Sequence, residues 1–108
     1  MNVSQASKIW LEYHRAHSKH NTVRAYQFTI TKFNQNFAKL KLNEVSADDI
    51  LDFISKFAEG RKPQTKRIRF SHLTAFFNFM RNNFDCDFKN PCDSPMLRKL
   101  FRPIANVH

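Results

Sequence analysis

Basic side chains gather in one stretch of this chain that contains no acid. From Gly60 to Phe84 there are six Lys or Arg residues and no Asp or Glu. Five of the six fall within nine positions, at the predicted start of a long apolar helix. That end of a helix is already electropositive, so cations there cost local stability. The arrangement therefore indicates an anionic partner with regularly spaced phosphates.

The charge of the whole chain supports the same interpretation. Its 108 residues include 18 Lys and Arg against nine Asp and Glu, which gives a net charge of +9. Residues 1–60 contribute +2 and residues 61–108 contribute +7, so the excess is uneven. A merely solvated helix face normally mixes both signs. Such an asymmetry is typical of a nucleic-acid-binding surface.

Two predicted helix starts supply the candidate DNA-binding residues. These residues are Lys19, Asn21, Thr22, Arg24, Lys62, Thr65, Lys66, Arg67, Arg69 and His72. The second group, from Lys62 onward, is the stronger signal, because helix capping alone explains Asn21 and Thr22. On the helix that follows Asn21, Arg24, Gln27 and Thr31 share a face away from the apolar stripe. Gln and Arg are side chains that read base edges in a major groove.

The sequence gives little support for a metal site or for catalytic residues. His14, His17 and His20 are spaced by three, but the first helix is expected to end near His17 and no carboxylate accompanies them. The chain contains no Gly-rich phosphate loop and no Ser or Cys with a convincing neighbouring base. We therefore predict no metal site, no cofactor and no catalytic residue.

Cysteine usage and hydropathy indicate a cytoplasmic protein. Cys86 and Cys92 are too few for a disulfide scaffold or a zinc site, so two free thiols are expected. No apolar stretch approaches the about 20 residues of a membrane span. The N-terminus also lacks a signal-peptide core, and no contact with a membrane is predicted.

Long helices must carry these side chains, because only one Gly and four Pro interrupt the chain. Ser4 is the predicted cap of a first helix, and Asn21 the predicted cap of a second. Ser46 with Asp49 forms a capping box for a third helix, which Gly60 ends. Between the second and third helices, an extended connector is expected from Leu40 to Val45.

The fourth helix is predicted from about Gln64 to Arg81 and should be buried centrally, because its C-terminal half is apolar nearly all round. A short helical turn follows, from Met96 to Phe101. The predicted core consists of Phe33, Phe37, Ile54, Phe57, Leu73, Phe77 and Met80. No segment reads convincingly as a strand. The predicted fold class is thus all-α: a compact four-helix bundle, with the turn as a fifth short helix.

Several motifs, in order, resemble one family. The spaced run Ser18, Thr22, Tyr26, Ile30, Phe33 and Phe37 is similar to the second helix of the N-terminal core-binding domain of tyrosine recombinases, the phage integrases. Residues 44–50 resemble the start of its third helix, and Thr65-Lys66-Arg67 with residues 73–79 resemble its fourth. Asn90-Pro91 is similar to the exit from that domain.

The resemblance implies a SAM-like DNA-binding domain over residues 1–92. Residues 93–108 would then be a linker or a short helix toward a catalytic domain that lies outside this chain. It implies a role in gripping the recombination site during integration or strand exchange, with double-stranded DNA and other recombinase protomers as partners. This fragment alone would be inactive and monomeric, so neither Tyr13 nor Tyr26 is assigned as a nucleophile.

One alternative comes from a different class of protein. A helical protein-interaction module with a basic surface would use Trp10, Tyr13 and Phe28 as an exposed aromatic face. Phe28 lies far from the centre of the apolar stripe of its helix, which makes an apolar surface contact plausible. A free-standing enzyme is a third option, which the absence of a catalytic motif disfavours.

Overall fold

The computed structural model describes residues 1–84 and 87–101, and it is helical throughout its regular elements. The helices are α1 Val3–His17, α2 His20–Phe37, α3 Ala47–Phe57, α4 Pro63–Asn83 and α5 Pro95–Leu100. Single 3₁₀ turns occupy Leu42–Glu44 and Pro91–Asp93. Over the described ranges there is no strand, and one isolated antiparallel bridge joins Asn2 to Lys41. The predicted all-α class is confirmed, and the fifth short helix is present.

Side-chain caps set where two of the helices begin. The predicted capping box of α3 is confirmed: Asp49 N–H donates to Ser46 Oγ at 3.1 Å, and Ser46 N–H donates to Asp49 Oδ2 at 3.0 Å. The predicted cap of α1 is wrong. Asn2 caps that helix by accepting from Gln5 N–H at 2.8 Å, so Ser4 lies inside the first turn.

Two other boundaries differ from the predicted ones. Lys19, rather than Asn21, is the N-cap of α2, and it makes no capping hydrogen bond with its side chain. The connector before α3 is not extended, because Glu44 N–H donates to the Lys41 carbonyl at 2.9 Å and closes a 3₁₀ turn. Glu44 Oε1 also accepts from Lys41 N–H at 2.8 Å. Gly60 has a φ of 73°, a left-handed conformation that suits glycine, and it follows α3 as predicted.

α4 is the central element of the core, as predicted. Its side chains Leu73, Phe77 and Met80 are fully buried. Phe33 of α2 packs edge-to-face on Phe77, with ring centroids 6.2 Å apart. Of the predicted core, Phe33, Ile54, Leu73, Phe77 and Met80 are buried, while Phe37 and Phe57 are half-buried at its margin. The core therefore forms mainly where the helical periodicity of apolar residues predicts it.

The structure buries Trp10, which the sequence offered as an exposed aromatic residue. Its ring stacks on Tyr26 with centroids 4.5 Å apart and meets Phe76 edge-to-face at 5.3 Å. Only 1% of its surface is exposed. The reason is geometric: Trp10 lies on the side of α1 that α2 and α4 both cover.

α5 packs back onto the bundle. Leu97 is fully buried, and Phe101, just after α5, packs on Phe70 of α4 with ring centroids 5.2 Å apart. Nearby, Cys92 is a buried free thiol, and burial raises its pKa to about 12. Cys86, the other cysteine of the sequence, lies outside the described residues. Across the described residues, no helix is long and apolar enough to cross a membrane.

Candidate nucleic-acid interface

Two neighbouring helices carry no acidic residue. Neither α2 nor α4 contains an Asp or a Glu along its whole length. The two helices pack together through Thr29 and His72, which hydrogen bond at 2.8 Å, and through the rings of Tyr26 and His72 at 4.9 Å. Their outer sides therefore contribute no carboxylate to the surface that they share.

A groove of about 790 Å³ runs along the outer side of α2, and we call it the α2 groove. Its lining consists of Asn21, Arg24, Ala25, Gln27, Phe28, Thr31, Lys32 and Gln35 of α2, with Arg69 of α4. The ionised side chains in this lining are all cations, and amide and hydroxyl groups lie between them. The predicted face of Arg24, Gln27 and Thr31 therefore forms part of one groove.

Arg69 is held in place by aromatic rings. Its guanidinium carbon lies 4.8 Å from the ring centroid of Phe28 and 5.6 Å from that of Phe57. Arg69 Nη1 also donates to Thr29 Oγ1 at 3.3 Å. Burial, followed by the charge of Arg61, lowers the pKa of Arg69 from its ordinary value. An arginine remains protonated in proteins, so this site holds a fixed positive charge.

His72 lies behind this arginine and not on the surface with the other candidates. Its side chain is buried, with 8% exposed, and its Nδ1 lies 2.8 Å from Thr29 Oγ1. Burial, followed by the charge of Arg69, lowers its pKa to about 4, so the ring is neutral near pH 7. The structure thus places His72 behind Arg69, and Thr29 links the two side chains.

The candidates at the start of α4 divide between two sides of the helix. At about 100° per residue, Lys62, Thr65 and Lys66 lie within roughly 60° of Arg69 around the helix axis. Arg67 lies roughly 160° away on the same count. It lines a different groove, of about 850 Å³, between α4 and α5. The structure therefore separates Arg67 from the rest of the predicted group.

The candidates at the start of α2 are all exposed. Asn21 and Arg24 line the α2 groove, while Lys19 and Thr22 are exposed at the same end of the helix. The structure thus connects Asn21 and Arg24 with Arg69, although these residues are far apart in sequence.

Three further residues of this surface were missed among the sequence candidates. Lys32 and Gln35 line the α2 groove, and Arg61 lines a pocket beside Arg69. A signal for Lys32 was available, because residues 13–43 contain six basic side chains and no acid. Nothing comparable marks Gln35, whose position depends on how α2 packs.

The aromatic face of the alternative interpretation does not form. Trp10 is buried, whereas Tyr13 and Phe28 are 43% and 50% exposed. Tyr13 packs on Phe79 with ring centroids 4.8 Å apart, and Phe28 packs on Phe57 at 5.5 Å.

The described part of the chain also contains no group of three His, Cys, Asp or Glu residues placed to hold a metal ion.

Comparison with known families identifies the family of the chain. Residues 8–83 match the sequence model of the family described as phage integrase, N-terminal SAM-like domain. The match covers more than two thirds of the chain. The chain belongs to this family. The predicted resemblance is thereby confirmed, and the SAM-like domain is the non-catalytic N-terminal part of an integrase.

The matched range of this integrase domain begins in α1 and ends with the last residue of α4. It therefore contains all residues of the α2 groove. Searches of curated proteins and of solved structures returned no match.

Proposed function

We propose that this integrase domain grips double-stranded DNA at the recombination site of a tyrosine recombinase during integration or strand exchange. One observation carries the proposal: the α2 groove and the start of α4 form a continuous surface whose ionised side chains are all cations. Phosphates dominate the affinity of proteins for DNA, so such a surface attracts a duplex whatever its sequence.

The dimensions of α2 suit a major groove. A helix with its side chains is about 10–12 Å across, and the major groove is about 12 Å wide. Along its outer side α2 presents Asn21, Arg24, Gln27 and Thr31. Amide and guanidinium groups make paired hydrogen bonds with adenine and guanine edges. We expect α2 to contact bases while Lys62, Thr65 and Lys66 contact the flanking backbone.

DNA cleavage is assigned to the catalytic domain of the integrase and not to this domain. Tyr26 stacks on Trp10 and Tyr13 packs on Phe79, so both hydroxyphenyl rings are part of the aromatic packing. We assign a nucleophilic role to neither. In a complete recombination complex, further recombinase protomers are the expected protein partners, and the isolated domain is expected to be a monomer.

Fluorescence anisotropy with a labelled duplex of about 25 base pairs tests this function. A variant with Arg24→Gln, Lys66→Gln and Arg69→Gln removes three cations of the surface. A variant with Lys8→Gln, Lys39→Gln and Lys41→Gln removes the same charge from exposed positions elsewhere. The first variant should lower the affinity for the duplex by at least roughly tenfold. It should also lower the slope of log K against log salt, to which each phosphate contact contributes about 0.9.

The control variant should lose far less affinity, and both variants should keep the wild-type circular dichroism spectrum. Equal losses in the two variants would indicate general attraction between charges and contradict a defined surface. A wild-type protein that fails to bind duplex at 50 mM salt would contradict the function itself. In an NMR titration, amide shifts should cluster at residues 19–35 and 61–72.

A further inference from the structure

A small pocket beside the α2 groove contains two arginines and no acid. We call it the Arg69 pocket, with a volume of about 250 Å³. Its lining consists of Phe28, Phe57, Ala58, Arg61, Thr65 and Arg69. Among the described residues the ion pairs join Asp52 to Lys56 and Asp93 to Arg81 and Arg98, and none includes Arg69. Two guanidinium groups thus face one space without a counter-charge.

The position of Arg69 in this pocket is fixed by a chain of hydrogen bonds. An arginine can only donate, so Thr29 Oγ1 accepts from Arg69 Nη1. The hydroxyl group of Thr29 is then free to donate to His72 Nδ1, 2.8 Å away. Nδ1 can accept this hydrogen bond because the neutral ring carries its proton on Nε2. Thr29 is fully buried, so the hydrogen bond between Thr29 and His72 is shielded from water.

Holding a partly buried cation next to another cation is unfavourable in the free protein. Desolvation weakens the charged form of Arg69, and the charge of Arg61 adds repulsion. The rings of Phe28 and Phe57 offset part of this cost through cation–π attraction. A single anion between Arg61 and Arg69 would remove the repulsion and satisfy both groups.

We propose that the Arg69 pocket binds one backbone phosphate of the DNA duplex, with Arg61 and Arg69 as ligands and Thr29 and His72 as the residues that position Arg69. The inference rests on the proposed DNA-binding function and deepens it. It adds Arg61 as a contact, and it gives the buried side chains of Thr29 and His72 the role of holding Arg69 in position.

The size and chemistry of the pocket select a phosphate group. Small-molecule sites begin at about 300 Å³, so a pocket of about 250 Å³ suits one group and not a whole nucleotide. Guanidinium groups match the geometry of phosphate oxygens through paired N–H donors. The hydroxyl of Thr65 lines the same space and supplies a further donor.

The salt dependence of DNA binding distinguishes one shared phosphate from two separate ones. Each phosphate that is neutralised contributes about 0.9 to the slope of log K against log salt. In Arg61→Gln or Arg69→Gln the remaining arginine still neutralises the shared phosphate, so each single variant should keep nearly the wild-type slope, whereas the double variant should lower it by about 0.9. Lys39→Gln, which removes an exposed charge elsewhere, should leave the slope unchanged.

Single variants that each lower the slope by about 0.9, with a double variant that lowers it by about 1.8, would overturn the shared site, since each arginine would then hold its own phosphate. A double variant with the wild-type slope would overturn it as well. Both outcomes leave the proposed function intact, because the wild-type protein still binds duplex. A wild-type protein without salt-dependent binding would instead contradict the function.

The positioning residues have a separate test with inorganic phosphate. The Nε–Hε resonances of Arg61 and Arg69 should shift saturably with phosphate and not with chloride at equal ionic strength. Thr29→Val removes the hydroxyl at similar volume and should raise the phosphate concentration at which the shift is half-maximal. Thr29→Ser keeps the hydroxyl and should behave as wild type. Equal phosphate responses in the valine and serine variants would overturn the positioning role.

Discussion

The imidazole of His72 lies in the packed layer between α2 and α4, where Thr29 Oγ1 approaches its Nδ1. Burial, followed by the charge of Arg69, lowers its pKa from 6.5 to about 4. Above pH 6.5 the ring is neutral in the folded and the unfolded protein alike. Between pH 6.5 and about pH 4 the unfolded chain binds a proton that the folded protein excludes. Through His72, stability therefore falls as the pH falls.

At the residue scale, we predict that His72→Gln reduces the loss of stability in acid. At pH 4.5 the wild-type ring should cost about 2 kcal/mol of unfolding free energy relative to pH 7, allowing for partial access of water to the ring. Glutamine accepts a hydrogen bond from Thr29 and does not titrate. Urea unfolding of both proteins at the two pH values measures how much stability each one loses. The titration of the carboxylates is the same in both proteins, so it cancels when the two losses are compared. Equal losses in the two proteins would contradict a neutral buried ring.

Helix ends are the features for which residue type alone is ambiguous. Asn2 and Ser4 are both good N-cap residues, and either could begin α1 from the sequence alone. The structure selects Asn2, because Gln5 lies three residues later and its side-chain Oε1 accepts a hydrogen bond from Asn2 N–H at 3.0 Å. The position of the cap also brings the backbone of Asn2 beside Lys41 in an antiparallel bridge.

At the element scale, we predict that Asn2→Ala lowers the free energy of unfolding by about 1 kcal/mol, the usual cost of removing a side-chain cap. Ser4→Ala is the matched control. Ser4 is exposed inside the first turn, where alanine is the better helix former, so its effect should be near zero. Thermal unfolding followed by circular dichroism compares the two. A larger loss in the Ser4 variant would reverse the assignment of the cap.

On the scale of the whole molecule, the bundle continues beyond α4. Leu97 of α5 and Phe101 are in the same core cluster as Phe77 and Trp10. The radius of gyration is 13.5 Å, close to the about 13 Å expected for a single domain of 100 residues. The domain boundary at Cys92 stays a prediction, and the packing of α5 bears on where a stable fragment can end.

Two leucines of α5 provide the test. Leu97→Ala should lower the free energy of unfolding by about 2–5 kcal/mol, because it leaves a cavity in the core. Leu100→Ala, at a residue that is 56% exposed, should change it by less than about 0.5 kcal/mol. Chemical unfolding of the two variants measures the contrast. Similar small effects of the two substitutions would mean that α5 contributes little to the fold and that the folded domain ends before α5.

The sequence by itself determined the helices and the buried side of α2 and α4. Phe33, Leu73 and Phe77 are buried because apolar residues at spacings of three and four must lie on one face. The order of motifs also predicted the integrase family correctly. These features are local, so the periodicity of apolar residues and the order of short motifs are sufficient to find them.

Only the tertiary structure decided which basic residues share a surface. Arg24 and Arg69 are 45 residues apart, and they line one groove because α2 and α4 pack through Thr29 and His72. Arg67, two residues from Arg69, points into another groove. A helix rotates about 100° per residue, so neighbours in sequence diverge around its axis. The packing of one helix on another is a long-range property, and no local pattern encodes it.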